Sequence, residues 1–273
     1  MKRMASLALA AALMLAALMS FSSCGLSGYG RYDNADKYTK GGGEVAAQAL
    51  SLDITWVRGD VEIRYHSGDK VEFYEESDRP LSDDTSMYYY LDGGTLRIQG
   101  GRSGARVTVL PEKKLTVLLP SGMSLGSLEL ETVEADASVM HNGNLGEVDI
   151  DTVSGDVSFD CIGTAGSLDI SCVSGSVDLM CGVMGEIGIE TVSGDVTVAT
   201  LTKPTSIEAE ATSGDITLVL PSDTGFTLEF DKVSGSLISE FATSVSGDRY
   251  VSGDGSLRIE VDVVSGNLNL IKG

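Results

Sequence analysis

Histidine is nearly absent from this chain of 273 residues, which contains only His66 and His141. Neither histidine stands near a group of cysteines, so the ligand spacing of a structural zinc site does not occur. The H-E-x-x-H sequence of zinc proteases and the phosphate-binding G-x-x-x-x-G-K sequence are missing as well. We therefore expect a protein that is not an enzyme and that holds no cofactor of these classes.

Paired carboxylates are so common that their spacing cannot single out the two acids of a glycosidase. The nearest enzymatic alternative is a polysaccharide-active β-helix, an analogy that rests on fold alone. Such a site usually needs a lysine or arginine beside its carboxylates. Residues 123–273 contain only Lys203, Lys232, Arg249, Arg258 and Lys272, and this scarcity argues against the enzymatic alternative.

Positive charge is scarce throughout the chain. There are 19 Lys and Arg against 40 Asp and Glu, a formal net charge of −21. The imbalance is concentrated in residues 123–273, which contain 25 acidic and five basic residues. A surface of this sign repels nucleic acid, so we expect no DNA or RNA partner. It attracts cations, cationic peptides and basic protein surfaces.

Long hydrophobic runs are absent except at the start of the chain. Lys2 and Arg3 precede an apolar run from Ala5 to Met19. A short basic end followed by a brief apolar segment is typical of a secretory signal. The run is short for a membrane span, and no other stretch is long and apolar enough to cross a bilayer.

The residues after this run indicate how the chain is processed. Phe21-Ser22-Ser23-Cys24 resembles the processing site of bacterial lipoproteins, in which small residues precede the cysteine that receives the lipid. We expect residues 1–23 to be a lipoprotein signal peptide and Cys24 to be lipidated. Residues 24–45 are rich in glycine and polar groups and predict a flexible tether. The protein is then extracytoplasmic and anchored to a bacterial membrane.

A repeat of about 20 residues organises the rest of the chain. GEVDIDTVSGDVSF begins at Gly146, GSLDISCVSGSVDL at Gly166 and GEIGIETVSGDVTV at Gly185. The serine of the Ser-Gly pair falls at positions 154, 174, 193, 213, 234 and 265. A fixed period of this length is typical of solenoid proteins, in which each repeat stacks on the next.

Each repeat alternates apolar and polar residues before and after the Ser-Gly pair, as a strand with one buried face does. Glycine admits the positive φ of a tight corner, so one repeat predicts a strand, a corner, a shorter strand and a return loop. We expect an all-β fold, a parallel β-solenoid with coils of about 20 residues; an antiparallel sandwich of short strands is the alternative. The predicted inward ladder is Leu128, Val148, Leu168, Ile187, Ile207, Leu228 and Ile259.

The region before the repeats is strand-rich but less regular. We expect residues 46–122 to form the N-terminal β-rich part of the solenoid, ahead of the acidic repeat solenoid at residues 123–273. The stretch from Leu52 to Ile63 fits the later template and predicts the first coil. Within it, Arg58-Gly59-Asp60 stands where Ser-Gly-Asp stands later, so we interpret it as a corner and not as an integrin-type recognition sequence.

Acidic residues recur at the two outward positions of the predicted first strand. Carboxylates on neighbouring coils, roughly 5 Å apart, repel each other by about 0.8 kcal/mol in water and by more at a lower dielectric. One hypothesis is a face that binds calcium or a cationic partner; the other is a solvated face that keeps the protein soluble and prevents strand edges from pairing. The predicted ladder comprises Glu129, Glu131, Asp149, Asp151, Asp169, Glu190, Glu208, Glu210, Glu229, Asp231, Glu260 and Asp262.

Three cysteines lie in the repeats. Cys161 and Cys181 each follow the serine of their Ser-Gly pair by seven residues, so adjacent coils should stack them. Cys172 occupies the position of Thr152 and Thr191 in the neighbouring repeats. An exported chain can oxidise such a pair, and small buried thiols that fill core positions are the alternative.

Taken together, WVRGDVEI (Trp56 to Ile63), LTVLLP (Leu115 to Pro120) and the repeated TVSGDV resemble the bacterial envelope family of adhesin-like, toast-rack domains of unknown function. The resemblance covers residues 46–273. It implies a β-solenoid at the cell surface or in the envelope and implies no catalytic residues. We expect a lipid-anchored, non-catalytic module that acts in surface binding, adhesion or envelope sensing through its acidic face. Its partner would be an envelope glycan or a basic protein surface, and capture or sensing of cationic antimicrobial peptides is the alternative.

Overall fold

The computed structural model describes residues 27–47, 50–246 and 249–273, and almost every element in them is a β-strand. The N-terminal part has a 3-10 turn at Ala35–Lys37 and the strands β1 (Ser27–Gly28), β2 (Thr39–Lys40), β3 (Gly43–Ala46), β4 (Leu50–His66), β5 (Lys70–Ser77), β6 (Tyr88–Asp92), β7 (Thr95–Gln99), β8 (Arg106–Val107) and β9 (Lys113–Pro120). The repeats follow with β10 (Leu125–His141), β11 (Asn144–Ser154), β12 (Val157–Ser174), β13 (Val177–Ser193), β14 (Val196–Thr200), β15 (Ser206–Ser213) and β16 (Ile216–Leu220). The C-terminal part contains β17 (Phe226–Ser234), β18 (Leu237–Ser239), β19 (Ser244–Ser246), β20 (Arg249–Ser252), β21 (Leu257–Ser265) and β22 (Leu268–Lys272). None of the helical residues in these ranges forms a segment of the length and hydrophobicity that a membrane span requires.

Each coil has two main sides that meet at the Ser-Gly corner. On the first side, which ends at the serine, β10 pairs with β11 and β11 pairs with the end of β12, all in parallel. On the second side, which begins two residues after the glycine, the end of β10 pairs with the start of β12 and the start of β12 with that of β13. Every coil is therefore bonded to its neighbours along both sides. This confirms the parallel β-solenoid and excludes the antiparallel sandwich for the repeats.

The inward residues of the coils form one continuous core. Within one coil, Val148, Ile150 and Thr152 are buried while Glu147 and Asp149 are exposed, so the predicted alternation is confirmed. Burying one such aliphatic side chain stabilises the fold by about 1.5–3 kcal/mol, and the stack repeats this gain in every coil. The whole predicted inward ladder is buried, at no more than 2% exposure: Leu128, Val148, Leu168, Ile187, Ile207, Leu228 and Ile259.

The corners are held by a hydrogen bond between coils that the sequence analysis did not anticipate. Asp156 Oδ1 accepts the backbone N–H of Ser176 at 2.8 Å and the Ser176 hydroxyl at 2.9 Å. Beside it, Gly175 has a φ of 147°, and a Cβ at that position would overlap the carbonyl oxygen of Gly155. The aspartate and the glycine of the corner are thus both required by the stacking of coils. Three other corners have the equivalent bond: Asp136 accepts the backbone N–H of Asp156, Asp195 accepts that of Asp215, and Asp215 accepts that of Asn267.

The last coils do not stack in chain order. The strand β21 pairs with β15 on one side and with β17 on the other, so it lies between two strands that precede it in the sequence. The hairpin of β19 and β20 then covers β17 in antiparallel orientation. This hairpin lies in the long interval between Ser234 and Ser265. It returns the chain so that β21 pairs with both β15 and β17. The expectation that successive repeats occupy successive positions is wrong here.

The first coils show the same rearrangement. The strand β4 pairs with β10 on one side and with β7 and β9 on the other, all in parallel. Antiparallel strands β5 and β6 then cover β9 and β7. The stretch from Leu52 to Ile63 does form a coil, as predicted, but it is second in the stack, because β7 and β9 lie outside it.

The segment predicted as a flexible tether, residues 24–45, packs against the body over its described part. The strands β1, β2 and β3 pair with β8, β6 and β5. Tyr29 is 9% exposed, and the Tyr38 ring lies 4.6 Å from Tyr32 and 5.5 Å from Tyr90. The prediction of a tether is wrong for these residues: it noted the glycine, polar and tyrosine content but not that Tyr29, Tyr32 and Tyr38 supply apolar surface for docking. The predicted signal peptide (residues 1–23) and lipidation site (Cys24) lie outside the described residues.

A buried lysine links the segments that lie outside β4, namely β5, β6, β7 and β9 with their connecting loops, which we call the N-terminal cap. Lys113 Nζ donates to Glu75 Oε2 and to the Thr85 carbonyl, each at 2.8 Å, and to the Gly100 carbonyl. It also lies 4.4 Å from the ring centroid of Trp56. Burial lowers the pKa of Lys113, while Glu75 opposes the shift. All three N–H donors of the ammonium group are satisfied, as a buried charge requires.

The cysteines occupy the positions that the repeat predicted. Cys161 and Cys181 are register partners, and Cys172 lies between Thr152 and Thr191 in the stack. All three are buried free thiols, which is the second of the two alternatives. Burial raises the pKa of Cys172 to about 11 and that of Cys181 to about 12, so both are neutral and unreactive near pH 7.

Candidate binding surface

The outward residues of the first side form a continuous acidic surface, which we call the acidic face. Its two columns run along the solenoid, and neighbours in a column belong to paired strands about 4.8 Å apart. In stacking order, the first column is Asp53, Glu129, Asp149, Asp169, Gly188, Glu208, Glu260 and Glu229, and the second is Thr55, Glu131, Asp151, Ser171, Glu190, Glu210, Asp262 and Asp231. The structure therefore brings all twelve predicted carboxylates onto one surface. Asp262 is the one that is buried, at 7% exposure.

Asp53 extends the acidic face by one coil and was not among the predicted carboxylates. It lies beside Glu129 in the register between β4 and β10. The signal was present in the sequence, because Asp53 has the outward position in the stretch from Leu52 to Ile63 that fits the repeat template. Arg97 on β7 forms an ion pair with Asp53. The acidic face therefore ends in a compensated charge on this side.

Mutual repulsion is strongest in the middle of the acidic face. The pKa of Asp149 is raised to about 6, first by partial burial and then by the nearby carboxylates of Asp151, Asp169, Glu129 and Glu147. Every charge that acts on Asp149 in this way is another carboxylate. The pKa values of Glu131, Asp169 and Glu190 are raised for the same two reasons, burial first and neighbouring acids second. This part of the face favours bound positive charge, which would relieve the repulsion.

A shallow groove of about 510 Å³ crosses the face at the same place. It forms because Gly188 and Ser171 interrupt the two columns with small residues. Its walls are the carboxylates of the adjacent coils, namely Asp149, Asp151, Asp169, Glu190, Glu208 and Glu210. Ser171 also donates a hydrogen bond to Asp151, which lowers the pKa of that carboxyl against the larger effect of burial.

Basic residues reach the face near its two ends. At the far end, Arg249 Nη2 lies 2.6 Å from Glu229 Oε1, and Arg258 Nη2 lies 2.6 Å from Glu260 Oε2. The Arg97 pair with Asp53 closes the near end. The central carboxylates are thus bounded by ends whose negative charge is compensated by arginine.

The match to a family model places the chain among known domains. The model described as Toastrack DUF4097 matches residues 49–179 and again residues 140–271, so it spans most of the chain. The chain belongs to the Toastrack family. The two overlapping matches reflect the repeat, since either half of the Toastrack solenoid satisfies the same pattern. The resemblance noted from the motifs is therefore confirmed.

Three solved structures are similar to this Toastrack chain. A candidate adhesin from Bacteroides fragilis NCTC 9343 is 14% identical, with 85% of this chain and 97% of that chain covered and a TM-score of 0.49. A candidate cell adhesion protein from Clostridium sporogenes ATCC 15579 is 15% identical, with 87% and 100% covered and a TM-score of 0.37. A candidate lipid binding protein from Parabacteroides distasonis ATCC 8503 is 14% identical, with 88% and 99% covered and a TM-score of 0.41. A search of curated proteins finds no significant match.

The calcium hypothesis finds no preformed site in this Toastrack domain. Within residues 27–47, 50–246 and 249–273, no three His, Cys, Asp or Glu side chains converge as ligands of one ion. Calcium takes six to eight oxygen ligands in one shell, whereas a ladder spreads its carboxylates along an axis. The carboxylates of the acidic face therefore form an extended array and do not form the shell of a single ion.

One sequence in the Toastrack chain has the letters of a serine nucleophile motif. Residues 122–126 read G-M-S-L-G, which fits G-x-S-x-G. In hydrolases that motif forms a strained turn between a strand and a helix. Here Ser124 directly precedes the strand β10 and no helix follows it among the described residues, so the motif lacks the geometry of a nucleophile elbow.

Proposed function

We propose that this Toastrack chain is a non-catalytic binding module of the cell envelope and that its acidic face binds a cationic partner. The observation that carries the proposal is the raised pKa of Asp149, which is surrounded by carboxylates on a partly buried, grooved surface. A bound ammonium or guanidinium group replaces repulsion with attraction at this position. The fit between an extended groove and a charged ladder favours a segment of chain with several basic residues.

The partner that we favour is a basic surface or segment of another protein, which gives the module an adhesive or sensing role. A second candidate function is capture of cationic antimicrobial peptides, because the same groove fits a free basic peptide. A neutral envelope glycan would gain nothing from the charge, so its binding would persist at high salt. Binding of either cationic partner weakens steeply as salt screens the face.

Anchoring at Cys24 is the other part of the proposal. Lipidation there would hold the module at the membrane and keep the acidic face outside the cytoplasm. The Cys24→Ser variant is expected to move from the detergent phase to the aqueous phase on phase partitioning. Unchanged partitioning would show that Cys24 is not the anchor.

The binding proposal is tested by titrating the domain with oligolysine and, as a neutral control, with acetylated oligolysine. Calorimetry at two salt concentrations should detect binding of the charged peptide only, and most strongly at low salt. A variant with Asp149→Asn, Asp151→Asn, Glu208→Gln and Glu210→Gln should lose most of this affinity. These changes keep the shape of the groove walls and remove four charges.

A matched variant controls for net charge. Asp33→Asn, Asp69→Asn, Asp178→Asn and Asp223→Asn remove the same number of charges from exposed positions off the acidic face. This variant is expected to bind oligolysine nearly as well as the unchanged domain. Equal loss in the two variants would mean that overall charge attracts the peptide and that the groove is not a site.

A further inference from the structure

The outward residues of the second side are chemically unlike the acidic face. One column on this side runs Met140, Asp160, Met180, Ala199, Val219 and Ile271, each the register partner of the next. Ile162 and Leu201 lie two residues beyond Asp160 and Ala199, at the end of the same side. We call these eight residues the apolar stripe.

The apolar stripe concentrates exposed hydrophobic surface. Met140 is 46% exposed, Ile162 56%, Met180 42% and Leu201 61%. They are four of the eleven large hydrophobic residues that are exposed in the described part of the chain. Exposed apolar residues scattered singly need no explanation, but a contiguous row of them is typical of an interaction surface. Methionine strengthens this interpretation, because its flexible thioether side chain repacks around different ligands.

Asp160 is the single charged residue of the apolar stripe, and it is only partly satisfied. Its Oδ1 atom is buried and has no hydrogen-bond partner among the described residues. A buried acceptor without a donor costs free energy that the fold does not recover. Asp160 also lies between Met140 and Met180 in the register, so the orphan oxygen stands between two flexible apolar side chains.

We propose that the apolar stripe is a second docking surface and that its occupant is a protein segment with one basic residue flanked by apolar residues. The basic group bonds Asp160, and the apolar flanks cover Met140, Met180 and Ile162. This surface lies on a different side of the solenoid from the acidic face, so the inference does not depend on the function proposed for that face. The two sides then bind different partners, a highly charged one and an amphipathic one.

Charge complementarity favours a protein segment with one basic residue over a second copy of the chain and over a phospholipid surface. A second copy of the chain, with a net charge of −21, would bring further negative charge to the stripe and no surplus of donors. A phospholipid surface would cover the methionines but would leave Asp160 desolvated without a donor. A lysine or arginine among apolar residues satisfies both features at once.

The test uses the full chain with labelled methionine methyl groups. A short synthetic peptide, with one lysine between leucine and valine residues, is titrated while methyl resonances are followed by NMR. We expect shifts at Met140 and Met180, assigned through Met140→Leu and Met180→Leu. The same peptide with acetyl-lysine should bind at least about tenfold more weakly, because it cannot pair with the carboxylate.

Matched variants make the test specific. Asp160→Asn should weaken peptide binding by about tenfold or more, whereas Asp178→Asn, an exposed acid on the same side, should leave it unchanged. Asp160→Met should abolish the preference for lysine and raise the melting temperature, because it removes the orphan oxygen. If the Asp160→Met variant loses the preference for lysine while its melting temperature rises, the binding site has been lost and the fold has been kept.

Several results would overturn the proposal. They are the absence of shifts at Met140 and Met180, equal binding of the lysine and acetyl-lysine peptides, or equal effects of Asp160→Asn and Asp178→Asn. Concentration-dependent dimerisation that Asp160→Asn does not weaken would make a second copy the occupant. Adsorption of the protein to phosphatidylcholine vesicles, lost in the double variant Met140→Ser, Met180→Ser, would make lipid the occupant.

Discussion

At the scale of single residues, the aspartate of the Ser-Gly-Asp corner has a structural task. Its carboxylate accepts a backbone N–H from the next coil, and the bonds to Ser176 lower the pKa of Asp156. The corner aspartates are therefore distinct from the acidic face, although both contribute to the same negative composition. A lysine shows the opposite case, since Lys113 is a charged residue that belongs to the core.

The corner bond can be measured by removing its acceptor. Asp156→Ala leaves the Ser176 N–H without its partner and should lower the free energy of unfolding by about 1–2 kcal/mol. Asp178→Ala, an exposed aspartate of the adjacent coil without a corner role, should change it by no more than about 0.5 kcal/mol. Urea denaturation compares the two, and equal values would show that the corner bond adds nothing.

The adjacent lysines Lys113 and Lys114 offer a matched pair of charge deletions. Lys113→Ala breaks a buried pair with Glu75 and should cost about 3–5 kcal/mol. Lys114 pairs with Glu62 at the surface, so Lys114→Ala should cost less than about 1 kcal/mol. Thermal and urea unfolding give both values. A small effect at Lys113 would mean that water replaces its partners and that the N-terminal cap has another anchor.

At the scale of elements, the first side of the solenoid combines a stable core with a destabilising surface. Its inward residues bury apolar side chains in every coil, while its outward residues stack carboxylates that repel one another. The burial of apolar side chains in every coil offsets this repulsion. Such strain is expected at a functional surface, where a ligand relieves it.

The raised pKa of Asp149, caused first by burial and second by neighbouring carboxylates, predicts an unusual dependence of stability on pH. The folded-state pKa of Asp149, about 6, lies above its ordinary value, so the folded protein holds a proton that the unfolded chain releases between these two values. Stability should therefore fall as pH rises from about 4 to 6 because of this group, and the melting temperature should be higher at pH 5 than at pH 7.5. Asp149→Asn should flatten this part of the profile and raise the melting temperature at pH 7.5.

Salt provides the control for the pH experiment. Sodium chloride and calcium chloride at equal ionic strength should raise the melting temperature equally, because screening acts without coordination. A larger gain with calcium, lost in the variant with four substitutions in the groove, would restore the metal hypothesis, since a ligand of the folded state stabilises it by mass action. A profile that rises between pH 5 and 7.5 would contradict the assigned origin of the raised pKa.

At the scale of the whole molecule, the two ends of the solenoid share one arrangement on the first side. The strand β4 lies between β10 and β7, and the strand β21 lies between β15 and β17. Antiparallel strands then pair with the outermost strand, β6 with β7 and β20 with β17. Such covers protect the edge of a parallel stack from pairing with other chains. At the far end the cover is partial, because β20 pairs with Phe226–Glu229 of β17 and β18 pairs with β22 alone among the described strands.

Engineered crosslinks test the order of the last coils. Glu208 and Glu260 are register partners, so Glu208→Cys with Glu260→Cys should form a disulfide under mild oxidation. Glu208→Cys with Glu229→Cys should not, because the strand β21 separates the two positions. Peptide mapping after digestion distinguishes the products. A crosslink in the second pair alone would mean that the repeats stack in chain order after all.

Much of this architecture followed from local rules in the sequence. The alternation around Val148 and Ile150 determined which residues face the core, because a strand reverses its side chains at every step. The nearly constant period determined that equivalent positions of adjacent coils are neighbours, and this placed Glu129, Asp149 and Asp169 in one column. The parallel solenoid and the acidic face could both be predicted for this reason, whereas the family was indicated by the resemblance of its motifs.

Tertiary structure alone decided the features that depend on pairing between distant segments. Every position in the stack offers the same backbone ladder, so local pattern does not determine whether β17 or β21 follows β15; the hairpin of β19 and β20 decides it. The docking of Tyr29, the burial of Lys113 and the orphan oxygen of Asp160 depend on neighbours that are far away in the chain. The sequence thus determined the repeating unit and its two faces, while long-range contacts determined the order of the units and how the stack ends.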